Sequence, residues 1–229
     1  MKENLALPTA ESRELGKNLD SLEKYRAYIE DLYEVKRSMK RKEFVNKTGW
    51  KDFVPVVDDD AARFLQLILQ MKKPKHILEI GTSIGFSTTA MALTAREYGG
   101  TITTIEFDNT AAEQAKRNFA RSGVDDIIQI EFGDALQIVP CFLDNSFDFI
   151  FQDVDKRLYP VLLKDCIRIL SSGSVFIADD ALFPIMELDE RWNDQVEPMR
   201  EFNRLVAASA DLESTLLPIG DGMIVAVKK

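Results

Sequence analysis

Residues 76–87, "HILEIGTSIGFS", change their pattern in the middle. The first five residues form a short, apolar, β-rich run; Gly81-x-x-x-Gly85 then supplies a turn, and a helical pattern extends over 85–97. A strand that feeds a helix through a glycine turn is the first half of a βαβ unit. The alternation continues along the chain, with strands expected at 101–106 ("TITTIE"), 127–131 ("IIQIE"), 147–153 ("FDFIFQD") and 174–179 ("SVFIAD") and helices at 109–122 and 157–170. Strands separated by crossover helices predict a parallel sheet with helices on both faces. Upstream, apolar residues at Leu22, Tyr25, Tyr28, Ile29, Leu32 and Val35 give residues 19–40 an amphipathic helical spacing, and 58–71 ("DDDAARFLQLILQM") reads as a second helix with an acidic start suited to its dipole. Downstream, a helix at 195–208 precedes "LESTLLP", a turn at "IGDG" and "MIVAVKK", which together read as a β-hairpin.

With 229 residues, 45% hydrophobic and 29% charged, the chain has the composition of one globular domain. No run reaches the roughly 18 apolar residues of a membrane span, and the N-terminal residues lack a secretory apolar core, so a cytoplasmic protein without membrane contact is expected. Cys141 and Cys166 have no CxxC spacing and no histidine neighbour, and read as small buried apolar residues. A net charge of −9 argues against general nucleic-acid binding. The charge is uneven: residues 34–52 carry seven Lys/Arg against three Asp/Glu. That segment is either a solvated helix face and loop or a patch for an anionic substrate.

In an open α/β sheet, ligands bind at the carboxyl ends of the strands where the topology switches. Glu79, Gly81, Glu106, Asp134, Asp153, Asp155, Lys156, Asp179 and Asp180 all fall at or just after such ends, whereas His76 opens a strand and is not expected to act in catalysis. The turn at 81–85 is not the dinucleotide GxGxxG, and a carboxylate at Glu79 suits a cationic ligand better than a pyrophosphate. Glu106, at the end of the next strand, can accept both hydroxyls of a ribose. With Asp134 after the third strand, these residues point to an adenosine bearing a positively charged tail, as in S-adenosylmethionine; the alternative is a merely tight βα turn. On the other side, Asp153 ends one strand and Asp179–Asp180 another, and neighbouring parallel strands lie about 4.8 Å apart. Three converging carboxylates would repel one another unless a divalent cation joined them. With oxygen ligands alone, that ion would be magnesium, manganese or calcium rather than zinc. The alternative is that Asp155 or Asp180 caps a helix or pairs with Lys156 or Arg157. Lys156 can enter the same pocket, and a bound cation would lower its pKa towards useful base strength.

The motifs "ILEIGTSIGFSTTAMA", "TTIEFD", "FGDAL", "FDFIFQDVDKRLYP", "VFIADDALF" and "PIGDGMIVAVKK" occur in one order. From about Val57 to the C-terminus the chain resembles the metal-dependent class I O-methyltransferases, which include the catechol and caffeoyl-coenzyme A enzymes. The resemblance implies a Rossmann-like α/β fold: seven strands, mostly parallel, with an antiparallel last strand. It implies adenosylmethionine lying against Val57, Gly81, Ser87, Glu106, Asp134, Ala135 and Asp153, and a metal held by Asp153, Asp179 and Asp180, the last replacing a usual Asn. Lys156 matches the family's general base. Residues 1–56 match loosely; in relatives this region helps build the substrate mouth and a homodimer, and Trp50, Phe53, Phe183 and Trp192 are aromatic candidates for that mouth. The expected reaction is methyl transfer to a catechol-type small aromatic acceptor. Methylation of a hydroxylated tRNA base and a non-catalytic adenosylmethionine-binding module are the rivals.

Overall fold

The computed structural model describes residues 24–25, 28–29, 31–33, 39–48 and 56–229. Two compact units divide the chain, Met1–Met39 and Lys40–Lys229. In the first, the described residues between 24 and 33 are helical, in agreement with the amphipathic spacing; the remainder of that expected helix lies outside the described residues. A single unit with its core starting at residue 57 was the expectation. The second unit begins earlier because helix α1 (Arg41–Thr48) buries Phe44 edge-on against Phe86, with ring centroids 5.3 Å apart.

Seven strands form one sheet in the order β3-β2-β1-β4-β5-β7-β6. The strands are β1 (His76–Ile80), β2 (Thr101–Glu106), β3 (Ile128–Phe132), β4 (Phe147–Gln152), β5 (Leu170–Ala178), β6 (Leu212–Leu217) and β7 (Met223–Lys228). The first five run parallel and β7 pairs antiparallel with both β5 and β6, as the hairpin pattern predicts. Helices α2 (Asp59–Lys72), α3 (Phe86–Ala95), α4 (Asn109–Ser122), the short α5 (Ala135–Ile138), α6 (Tyr159–Ile169) and α7 (Asn193–Ala208) connect or flank them.

Local chemistry sets these boundaries. In β1, Ile77, Leu78, Glu79 and Ile80 are all buried, the continuous pattern of a central strand covered on both faces. Asp108 caps α4 by accepting the Ala111 N–H, and Gly123 ends that helix in the left-handed conformation. Strand β5 starts four residues before the expected 174, directly after α6. Leu170 pairs with Phe147 ahead of a register shift, in which the left-handed Gly173 falls, before Val175 pairs with Phe149. Beneath the sheet's later half, Tyr159, Phe176 and Phe202 pack ring against ring at 5.1 and 6.2 Å. Cys166 is buried as expected, but Cys141 is exposed. It ends a short 3₁₀ turn in which Val139 takes the inward position. Among the described residues no helix is long and apolar enough to cross a membrane.

The chain crosses from β3 back to β4 beside β1, so the topology switches between β1 and β4. A crevice opens there, at the carboxyl ends of the strands.

Candidate active site

A cavity of about 850 Å³ runs across these strand ends. Its first end is built on the β1 turn. Gly81 has φ +102°, and a Cβ there would stand 1.9 Å from the carbonyl oxygen of Asp153, so the backbone ends of β1 and β4 touch only because position 81 is glycine. Glu106, at the end of β2, is gripped by the backbone: Ser83 N–H donates to Oε2 at 2.7 Å and Asp108 N–H to Oε1 at 2.8 Å. Burial raises its pKa while the amide donors oppose the rise. Ser83 itself has φ +50°, the conformation that aims its N–H at the carboxylate. Asp134 caps α5 through the Leu136 N–H and also faces the cavity.

Val57, Gly81, Ser87, Glu106, Asp134, Ala135 and Asp153, expected at the cofactor site, all border this cavity. Glu79 does not. It is fully buried beneath the turn, where its carboxylate accepts hydrogen bonds from Ser87 Oγ and Thr104 Oγ1, both at 2.6 Å, and from Thr88 Oγ1. Burial pushes its pKa up to about 7 despite the three hydroxyl donors. Its side chain therefore braces the cavity floor and makes no wall. Strand position alone places Glu79 near the site, but which face of the strand it occupies turned it inward to those hydroxyls.

The second end gathers Asp153, Asp179, Asp180 and Lys156. The Lys156 ammonium lies 3.0 Å from Asp153 Oδ1, 2.5 Å from Asp180 Oδ2 and 3.1 Å from the Val154 carbonyl, over the face of the Tyr159 ring at 5.2 Å. Asp180 reaches this position from a left-handed backbone, φ +59°, and its N–H donates to Asp179 Oδ1. Burial, and then repulsion from Asp180 and Asp153, raises the Asp179 pKa well above the carboxylate range. Burial raises Asp153 as well, against the pull of Lys156. For Lys156 burial works the other way. Tyr159 and the carboxylates of Asp153 and Asp180 outweigh it and hold the lysine well above its usual value. Burial keeps the Tyr159 phenol neutral, so the charge that holds Lys156 is carboxylate charge.

Among the described residues no group of three carboxylates is drawn together as a metal centre; the ammonium of Lys156 stands between Asp153 and Asp180. Asp155 takes the alternative role foreseen for it, capping the turn that follows and pairing with Arg157. His76 is exposed at the far edge of β1. Phe183 and Trp192 border the cavity, edge to face at 6.3 Å, whereas Trp50 and Phe53 lie outside the described residues. Two contributors were missed by the sequence reading. Gln195, from α7, accepts the Lys156 N–H at 3.3 Å, and Tyr159 supplies the ring beneath the ammonium. Tyr159 follows Lys156 at one-turn spacing and could have been found; Gln195 is 39 residues away and could not.

The O-methyltransferase family profile matches residues 32–229. The chain belongs to the O-methyltransferase family. This O-methyltransferase is 34% identical over 182 residues to a catechol O-methyltransferase of Niastella koreensis, a match covering 76% of this chain and 82% of that protein. It is 30% identical over 181 residues to a caffeoyl-CoA O-methyltransferase of Populus kitakamiensis, covering 74% and 75% respectively. Its fold superposes with a TM-score of 0.74 on the O-methyltransferase from Bacillus cereus in complex with SAH, at 27% identity over 89% of this chain and 97% of that one. The seven-stranded, mostly parallel sheet with its antiparallel last strand is the one the resemblance implied.

Proposed function

We propose that this enzyme transfers a methyl group from S-adenosylmethionine to one of two vicinal hydroxyls of a small aromatic acceptor, with the help of a divalent cation. One observation carries the proposal: a single cavity is bordered at one end by Gly81 and Glu106 and at the other by Lys156 with its three aspartates. The carboxylate of Glu106 keeps lone pairs beyond its two backbone amides, and these accept the ribose hydroxyls. Asp134 and Ala135 would meet the base, and Ser87, at the start of α3, the amino-acid end; all three line the cavity. Bound adenosylmethionine supplies a methyl group on a sulfonium sulfur; the C–S bond breaks with its electron pair on sulfur as the acceptor oxygen takes the carbon.

The donor set suits a hard cation. Asp153, Asp179 and Asp180 offer only oxygen, their negative charge exceeds what Lys156 neutralises, and burial makes that excess costly. These three would hold the ion, whose charge favours ionisation of the acceptor hydroxyl. With the ion in place its charge would favour the neutral amine of Lys156, which would then receive the proton that the hydroxyl releases. Phe183 and Trp192 present apolar faces to an aromatic ring and exclude water beside it. Since the leaving thioether is neutral, orientation is the main source of rate, worth roughly 7–11 kcal/mol when two reactants are well aligned. The homodimer implied by the resemblance and the cytoplasmic location expected from the sequence belong to the same proposal, and sedimentation tests the first.

The direct test is transfer of labelled methyl from adenosylmethionine to catechols, with and without magnesium; no transfer to any catechol would end this reading. Chelation with EDTA should abolish turnover and leave adenosylmethionine binding within a few-fold, since the ribose would be held by Glu106 and not by the metal-holding carboxylates. Calorimetry with the chelator present checks this, and a parallel loss of cofactor affinity would contradict it. Glu106→Ala should weaken the cofactor by roughly 1.5–3 kcal/mol for each charge-assisted hydrogen bond lost. At saturating cofactor its kcat should return close to the parent value, and a persistently low kcat would give Glu106 some other role.

A further inference from the structure

S-adenosylmethionine ends in an amino acid that carries one carboxylate and one ammonium group, and a site for it must meet both charges. Ser87 lines the cavity at the start of α3. A hydroxyl has a single proton to donate, and an ionised carboxylate only accepts. The Ser87 proton is already committed: Oγ donates to Glu79 Oε1 at 2.6 Å, within a buried group in which Thr88 and Thr104 donate to the same carboxylate. Towards the cavity Ser87 therefore offers lone pairs. It can accept from an ammonium, whose charge would also favour the ionised form of Glu79 behind it, and it cannot donate to a carboxylate.

A second observation is independent of that hydroxyl. Arg41, the first residue of α1, and Asp58, which precedes α2, both line the cavity and form an ion pair through Arg41 Nη1 and Asp58 Oδ1. Three contacts fix the helix that carries the arginine. The Arg41 N–H donates to Asp59 Oδ1 at 2.7 Å, Phe44 packs on Phe86, the residue before Ser87, and Arg121 Nη1 donates to the Lys47 carbonyl at 3.0 Å. Arg41 is thus tied to the side of the cavity that Val57 and Ser87 line, and its partner Asp58 follows Val57 directly. Nη1 serves Asp58, whereas a guanidinium carries five N–H donors in a rigid fork that matches a carboxylate. Lys156 is engaged at the other end by Asp153 and Asp180.

Resting on the adenosylmethionine reading above, we propose that Arg41 holds the carboxylate of the cofactor's amino-acid end and that Ser87 Oγ accepts from its ammonium. Asp58 orients the guanidinium, and α1 thereby becomes part of the cofactor site. Glu79 is a positioning residue: enclosed beneath the turn, it decides through the Ser87 proton which of the two charges that hydroxyl can meet.

The test is calorimetry on the full-length protein, with no acceptor present, using three ligands. S-adenosylhomocysteine has both charges, its decarboxylated amine keeps only the ammonium, and 5′-methylthioadenosine has neither. The parent should bind S-adenosylhomocysteine at least about tenfold tighter than the amine, as a charge-assisted contact requires. Arg41→Met should weaken S-adenosylhomocysteine roughly 10–100-fold and leave the other two ligands within about twofold. Adding Asp58→Asn to Arg41→Met should preserve that loss, because repulsion from an unpaired Asp58 is then gone. Ser87→Ala should weaken S-adenosylhomocysteine and the amine alike, several-fold, and spare methylthioadenosine. Equal losses for all three ligands in Arg41→Met would make Arg41 a mere strut for α1, and no loss would remove it from the site. Recovery of parent affinity in the double variant would overturn its assignment too. A Ser87→Ala loss confined to S-adenosylhomocysteine would give the hydroxyl to the carboxylate and overturn the ammonium assignment. The parent comparison needs no variant to fold: equal affinity for S-adenosylhomocysteine and the amine would overturn the carboxylate contact outright. If the parent bound none of the three, the adenosylmethionine reading itself would fall, and this assignment with it.

Discussion

Gly81→Ala should lose both thermal stability and cofactor affinity. Two costs add at this position. With φ at +102°, any side chain pays the penalty of a left-handed backbone, about 1–2 kcal/mol. The new Cβ would also stand 1.9 Å from Asp153 O and 2.7 Å from Asp153 C, both backbone atoms of the neighbouring strand end. No rotamer change relieves that collision, so β1 and β4 must part, at a cost of typically 1–3 kcal/mol or more. The midpoint of unfolding should fall on the order of 10 °C, at about 2–4 °C per kcal/mol for a domain of this size. Because Asp153 moves with the strand, calorimetry should show adenosylmethionine binding weakened at least tenfold in whatever fraction folds. Gly123→Ala is the matched control: φ is +66° and nothing lies within 4 Å of a Cβ there, so only the backbone strain applies. Equal stability losses for the two variants would show that the contact between strand ends is not what position 81 requires.

The contrast between these glycines also marks what the sequence could convey. Gly81 was visible as a turn residue, and β1, β2 and α4 fell on 76–80, 101–106 and 109–122 because each is bounded by a turn or cap whose chemistry is local: Gly81, the Glu106–Asp108 corner, and Asp108 with Gly123. What position 81 touches was not visible, since its neighbour is Asp153, more than seventy residues on. The same limit explains Glu79. Its place at the end of β1 was legible, but its hydroxyl partners come from α3 and β2, and only their assembly decides that the carboxylate is enclosed rather than presented to the cavity. For β5 the difficulty was of another kind. Leu170, expected to end a helix, instead pairs with Phe147, and the irregularity that follows it in "SSG" separates it from the regular pairing that starts at Val175. At the charged end, the identities of Asp153, Lys156, Asp179 and Asp180 followed from strand ends alone. Their arrangement around the ammonium depended on the left-handed backbone at Asp180, which no residue type announces.

Under the proposed mechanism Lys156 has two separable roles in that arrangement, and Lys156→Met distinguishes them. As the group that takes the acceptor's proton, the lysine should be worth ~10²–10⁴ in kcat, the usual range for general acid–base catalysis. As the ammonium 3.0 Å from Asp153 and 2.5 Å from Asp180, it also neutralises a buried carboxylate cluster. Removing one partner of a buried pair costs about 3–5 kcal/mol when the remaining charge is left unsatisfied. In the absence of divalent metal the variant should therefore melt below the parent. Magnesium should restore much of that difference, and should raise the melting point of the variant more than that of the parent, because it binds a folded site now stripped of its competing cation. The catalytic loss responds differently: saturating magnesium and cofactor can repair the charge balance but supply no base, so kcat should stay depressed at every metal concentration. Glu106 and its amide donors lie at the other end of the cavity, and cofactor affinity should be unchanged. A kcat within a few-fold of the parent, measured on protein whose melting point magnesium has restored, would remove Lys156 from the proton transfer and leave it only as the counter-ion of Asp153 and Asp180.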